Sequence, residues 1–173
     1  MGAIGESRPF WEKPLSDLTD GEWEALCDGC GQCCLHKLED ADTGAIYETN
    51  VACTLLDIST ARCMDYPNRK AKVPDCLQLT REAAGTLPWL PATCAYRLRA
   101  EGEPLPHWHH LLTGSYDAVR AAGVSVAGRV ISEDDAGPIE EHVVIDGYEL
   151  RAWPEEDDAN DEADDEAVEG SGR

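Results

Sequence analysis

Four of the chain's eight cysteines fall within Cys27-Asp28-Gly29-Cys30-Gly31-Gln32-Cys33-Cys34, a C-x-x-C-x-x-C-C run of closely spaced soft sulfur donors. The two-residue separations Cys27/Cys30 and Cys30/Cys33 let neighbouring thiolates converge on one ion or cluster. A tetrahedral zinc site or an iron–sulfur cluster takes four such ligands. Cys34 follows Cys33 directly, so the two side chains diverge in most backbone conformations. One of the pair is therefore free to meet a second metal, bridge two metals or stay a buried thiol. Cys53, Cys63, Cys76 and Cys94 come at wider intervals, enough to complete one cluster or build a second, and histidine or carboxylate donors could also enter. All eight cysteines are candidate ligands. Disulfides, redox-switch thiols and inert core thiols are the other accounts of an even cysteine count.

Other side chains add less. His107, His109 and His110 form a cluster in which His107 and His109 would share a face of an extended segment and could ligate zinc or iron. The alternative is that Trp108 packs inward while the histidines cap a helix or line the surface. His36, just past the octapeptide, is read as a ligand, an outer partner or an exposed residue, and His142 carries no further signal. Tyr66 and Arg69 could support thiolates from behind, an arginine offsetting the charge of a four-sulfur site. A structural ion pair explains Arg69 equally well. No serine–histidine–aspartate constellation, phosphate loop or deaminase signature is present, and carboxylate pairs are too common here to single out an acid or base. No residue is assigned a catalytic role.

The elements that must carry these groups are short. Thr19-Asp20-Gly21-Glu22 fits a capping box for a short helix bearing Trp23 and Leu26 into Cys27. Gly29 and Gly31 oppose a helix through the cysteines, each costing about 1 kcal/mol against alanine. They suit a tight turn whose backbone N–H groups point at sulfur. Alternation over residues 44–58 predicts one or two strands. A helix is expected from Pro74-Asp75 through Ala84, stopped by Gly85, a second over 92–100, and a third over 116–122, capped by Ser115 and ended by Gly123. Val124, Val126, Val130 and Ile131 hint at a strand broken by Gly128, and Asp146-Gly147 at a hairpin turn. The expected fold is a small α+β domain with short helices, few strands and irregular loops, stabilised by metal. Residues 1–18 read as an amino-terminal arm, 19–153 as the cysteine-cluster domain, and 154–173 as a disordered acidic tail with ten Asp or Glu and one Arg.

With 35 acidic and 14 basic residues the formal net charge is −21. That field repels phosphate backbones and anionic lipid, so nucleic-acid and membrane-surface binding are not expected. The modest basic concentration at Arg62, Arg69, Lys70 and Lys72 is read as local pairing or charge compensation at a metal site. The acidic tail serves solubility or docks a basic protein. The amino terminus lacks the apolar region of a secretory signal, and no stretch approaches the ~18 apolar residues of a membrane span. A cytoplasmic protein is expected, in a reducing compartment where cysteines persist as thiols or metal ligands.

Several separated motifs resemble the zinc- or iron-chelating cysteine-cluster family of the YkgJ type. Cys27-x-x-Cys30-Gly31-x-Cys33-Cys34 is similar to its signature, and Cys53-Thr54-Leu55-Leu56, Cys63-Met64-Asp65-Tyr66-x-x-Arg69 and Cys76 to its later cysteines. Leu90-Pro91-x-Thr93-Cys94-Ala95-Tyr96-Arg97 and Trp108-His109-x-Leu111-x-x-Gly114 resemble the longer YcgN subgroup. Lys70 stands where a proline often follows the motif arginine, and His110 where a proline would follow Trp-His; neither change touches a cysteine. The resemblance implies metal chelation. Similar clusters in flagellin lysine methylases keep an enzymatic alternative open, either an iron–sulfur redox protein or a cluster-dependent modifying enzyme, although no glycine-rich nucleotide fingerprint is visible.

Overall fold

A computed structural model describes residues 8–144. Near its start the capping box forms as expected: Thr19 Oγ1 accepts from the Glu22 N–H at 3.2 Å, and the Glu22 carboxylate accepts from the Thr19 N–H at 2.9 Å. This opens helix α1 (Asp20–Glu24), which buries Trp23. The chain then turns through the cysteines into strand β1 (Leu35–Glu39), followed by β2 (Ile46–Ala52) and the two-residue strands β3 (Leu56–Asp57) and β4 (Arg62–Cys63). Short helices follow: α2 (Arg69–Lys72), α3 (Arg81–Ala84), α4 (Ala95–Ala100), α5 (His110–Thr113) and α6 (Asp117–Ala121). Strand β5 (Ile131–Ser132) and helix α7 (Glu133–Ala136) close the sequence of labelled elements. The fold is α+β, as expected.

One sheet has the order β1-β2-β5. β1 and β2 run antiparallel, pairing Lys37 with Glu48 and Glu39 with Ile46, and an irregularity lies between Leu35 and Lys37. β5 joins β2 in parallel, Val51 opposite Ile131. β3 and β4 form a separate hairpin that presents Cys63 opposite Leu56.

Three apolar clusters meet at the cysteine octapeptide. The first contains Leu18, Trp23, Leu26, Leu90, Cys94 and Tyr96, with Phe10, Trp11, Cys27 and Cys33 packed against it. The second contains Leu35, Ala52, Leu56, Ala61 and Val126, with Cys34 against it. The third is Cys30, Trp108, Val119 and Val124. The loop is thus the junction of the core, and Phe10 and Trp11 seat the amino-terminal residues on its first part.

The structure departs from expectation where the backbone is claimed by distant partners. The helix expected from Pro74 starts only at Arg81, capped by Thr80 Oγ1 accepting from the Ala83 N–H at 3.1 Å. Upstream, Lys70 Nζ donates to the Pro74 and Cys76 carbonyls, both at 2.8 Å, and Trp23 Nε1 donates to the Leu79 carbonyl at 2.8 Å. A helical segment would have used those carbonyls internally. The second helix begins at Ala95 with Cys94 as its cap, and the third at Asp117. Residues 124–127 are not a strand: the Val126 N–H donates to the Cys30 carbonyl at 2.8 Å and its carbonyl closes a turn with Arg129. Extended pairing here is confined to β5. The expected Asp146-Gly147 hairpin and the 154–173 tail lie outside the described residues. Among the described residues, no helix is long and apolar enough to cross a membrane.

Candidate metal centre

The octapeptide holds its shape through two glycines in the left-handed region, Gly29 at φ +73° and Gly31 at φ +79°. A Cβ on Gly31 would sit 2.7 Å from Val126 Cγ2 and 3.0 Å from Ala61 Cβ, so both conformation and space require glycine there. Between the first two cysteines, Asp28 Oδ1 accepts from the Cys30 N–H at 2.9 Å. Backbone N–H groups also turn toward sulfur: Gly29 toward Cys27, Gln32 toward Cys30, and Tyr96 and Arg97 toward Cys94. The Leu55 N–H lies 3.5 Å from Cys53 Sγ. Such donors stabilise a thiolate when one forms.

Cys27, Cys33, Cys34, Cys53, Cys63 and Cys76 line one cavity of about 220 Å³. Cys94 is buried beside Cys27 and Cys33 in the first core cluster, whereas Cys30 is buried among Trp108, Val119 and Val124. The octapeptide is tied to the later cysteines by the Cys53 N–H, which donates to the Cys34 carbonyl at 3.0 Å. All eight are unpaired thiols.

Electrostatics link the cysteines in two overlapping sets, joined through Cys33, which meets Cys34 and acts on Cys76. Cys27 responds to Cys33 and Cys94, and Cys30 and Cys94 respond to Cys33; all four also feel the Asp28 carboxylate. Cys53 and Cys76 each respond to Cys63. Burial raises Cys27 and Cys30 far above the usual thiol range and pushes Cys94 up to about 12. Cys33 is raised first by a hydrogen bond with the Cys34 side chain and then by burial. Cys53 and Cys76 are raised by burial, with Arg69 drawing Cys76 back down. Without a cation these groups are protonated at neutral pH.

The wall beside Cys27 is polar. The Tyr66 hydroxyl donates to the Glu24 carboxylate, Arg69 Nη2 reaches both Glu24 oxygens at 3.3 Å, and the Arg69 guanidinium stacks 3.7 Å from the Tyr66 ring centroid. The Tyr96 hydroxyl donates to the Glu24 carbonyl at 3.2 Å. The sequence pointed to Tyr66 and Arg69 and placed Tyr96 in a resembling motif without a role; Glu24 and Asp28 it did not single out. Asp28 carried a signal in its place inside the octapeptide, where only the cysteine and glycine positions drew notice.

The histidines separate. His109 is fully buried: its Nδ1 accepts from the Leu111 N–H at 3.1 Å, so Nε2 carries the proton donated to the Leu26 carbonyl at 3.0 Å. Both ring nitrogens are thereby occupied in packing α5 against the start of the cysteine loop. His110 stacks on Tyr116 with centroids 4.2 Å apart. His36 lines the cavity and lies 2.8 Å from Glu133 Oε2; Glu133 Oε1 accepts from the Thr54 N–H beside Cys53 at 2.5 Å. His142 bonds Asn50 and the Ala136 carbonyl. Of the basic residues, Arg69 pairs with Glu24 and Lys72 with Asp65.

Among the described residues, no three Cys, His, Asp or Glu side chains already converge as a metal-holding group. The residues fit zinc or iron by donor type and by their placement around a shared space.

A family profile described as a "putative zinc- or iron-chelating domain" with the C-x-x-C-x-x-C-C signature matches residues 26–95. The chain is similar to a UPF0260 protein of Rhizorhabdus wittichii, 56% identical over 138 residues, spanning 79% of this chain and 94% of the relative. It is equally similar to a UPF0260 protein of Ectopseudomonas mendocina, 56% identical over 142 residues (80% and 95% of the two chains). A Vibrio cholerae UPF0260 protein is 54% identical over 140 residues (80% and 97%). No solved structure matches.

Proposed function

The chain belongs to the UPF0260 family, and on that premise we propose that it chelates zinc or iron through two groups of cysteines, six of them lining one cavity and Cys30 and Cys94 buried outside its lining. The inner group is Cys27, Cys30, Cys33 and Cys94; the outer is Cys34, Cys53, Cys63 and Cys76. One observation carries the proposal: six cysteines, drawn from the octapeptide and three later segments, surround a single cavity of about 220 Å³. Thiols scattered through a core for packing alone have no reason to face one space.

When bound, zinc or iron would supply a Lewis-acidic cross-link between these segments, and an iron–sulfur cluster would add electron transfer. The chain's own residues prepare for thiolate charge. N–H groups of Gly29, Gln32, Leu55, Tyr96 and Arg97 turn toward sulfur, and Arg69 lowers Cys76. Glu24 holds Arg69 and Tyr66 in place at the cavity wall. An iron–sulfur centre is the alternative occupant, favoured by adjacent Cys33 and Cys34 packing against different core clusters, which suits a bridged or polynuclear arrangement. A reducing, cytoplasmic setting would keep the thiols available.

Anaerobic purification, metal analysis and a visible spectrum test this. Near-stoichiometric zinc without colour supports a zinc site; iron with sulfide and a brown chromophore supports a cluster. A well-folded, metal-free protein that titrates eight thiols and takes up neither metal would overturn chelation.

A further inference from the structure

Asp28 is only 5% exposed, yet its carboxylate is half unsatisfied. Oδ1 accepts from the Cys30 N–H at 2.9 Å, while Oδ2 is buried with no hydrogen-bond partner. An ionised carboxylate removed from water is costly unless paired, hydrogen-bonded or metal-bound. Asp28 stands directly after Cys27 and two residues before Cys30, so the unpartnered oxygen is carried on the cysteine loop itself. A divalent ion would supply the partner that Oδ2 lacks.

We propose that Asp28 Oδ2 is an oxygen donor to an ion held by the inner cysteines, making that site mixed sulfur–oxygen rather than all-sulfur. The inference rests on the chelation proposed above and deepens it. Asp28 lies between Cys27 and Cys30, its Oδ1 accepts from the Cys30 N–H, its carboxylate also meets the Cys30 thiol, and its Oδ2 is buried without a partner. A carboxylate beside thiolates favours a borderline divalent cation such as zinc or ferrous iron over monovalent copper, which prefers sulfur alone.

Zinc loading of the full chain under anaerobic, reducing conditions tests this, with Asp28→Asn as the variant. Asparagine keeps the Oδ1 acceptor and the side-chain shape but loses the charge. The metal-free variant is expected to melt at or above the wild-type temperature. Its inner-site zinc affinity, measured by competition with a chromophoric chelator, is expected to fall more than about 100-fold, beyond the 10–100-fold cost typical of an outer positioning partner. X-ray absorption on zinc-loaded wild type should show an oxygen near 2.0–2.2 Å beside sulfurs near 2.3 Å. Unchanged affinity in Asp28→Asn, or a wild-type shell of sulfur alone, overturns the assignment while leaving chelation intact. A wild-type chain that takes up neither zinc nor iron removes both proposals together. Should Asp28→Asn fail to fold, the wild-type absorption measurement decides alone.

Discussion

Gly31 shows how tightly single residues fix the cysteine loop. Its φ of +79° and the 2.7 Å approach of Val126 Cγ2 to a hypothetical Cβ act together. Gly31→Ala should therefore destabilise the metal-free protein by about 3 kcal/mol, combining a left-handed backbone cost with overpacking. Urea denaturation measures it, and a loss below about 1 kcal/mol would mean the loop relaxes freely. His110 gives a pH dependence. Burial first, then His109 and Arg62, lowers its pKa to about 4 against an ordinary value of 6.5. As pH falls through 6.5 the unfolded chain takes up a proton that the folded chain refuses. Stability is thus intact above pH 6.5 and declines toward pH 4, by at most about 1–2 kcal/mol once partial exposure is discounted. Denaturation of wild type and His110→Gln at pH 7 and pH 5 should show the smaller acid loss in the variant; equal losses would remove His110 from the account. The cysteines and both loop glycines were legible because their types and spacing are local. Asp28 drew no notice despite its place in the octapeptide, because the feature that marks it, a buried oxygen without a partner, belongs to the folded chain.

At the scale of elements, the segment carrying Cys76 is held by borrowed hydrogen bonds rather than by regular structure. Lys70, next to α2's first residue, donates to the Pro74 and Cys76 carbonyls. Lys70→Met should cost only roughly 1 kcal/mol, since these bonds are exposed, but should free the segment locally. Faster alkylation of Cys76, read by peptide mass spectrometry, is the expected sign, with Cys94 unchanged as an internal reference. Equal Cys76 rates in the two proteins would place the restraint elsewhere. The same bonds explain why the sequence suggested too long a helix here. Leu77, Leu79 and Ala84 are spaced plausibly for one, but spacing cannot reveal a lysine or tryptophan from another element claiming the carbonyls. The capping box of α1 was legible for the opposite reason: donor and acceptor lie three residues apart.

For the whole molecule, stability and metal are one question. The loop joins three modest core clusters in a chain of net charge −21, so a cation bound among the cysteines as proposed would both link the clusters and lower self-repulsion. Zinc at about 1,000 times its dissociation constant should add about 4 kcal/mol and raise Tm by roughly 10–20 °C, with a strong chelator reversing the change. A Tm indifferent to both would limit the metal to a surface role. Burial of the cysteines also bears on the chain's birth. Synthesis proceeds from Cys27 toward Cys94, and the Val126 N–H that closes on the Cys30 carbonyl comes later still. At roughly 5–20 residues per second, the first cysteines wait on the order of 5 s for the last. The outer group, complete at Cys76, leaves the ribosome before the inner one. On the proposed grouping, the direction of translation therefore completes the outer set at Cys76 while the inner set still lacks Cys94, and the nascent loop is at its most vulnerable to oxidation during that interval.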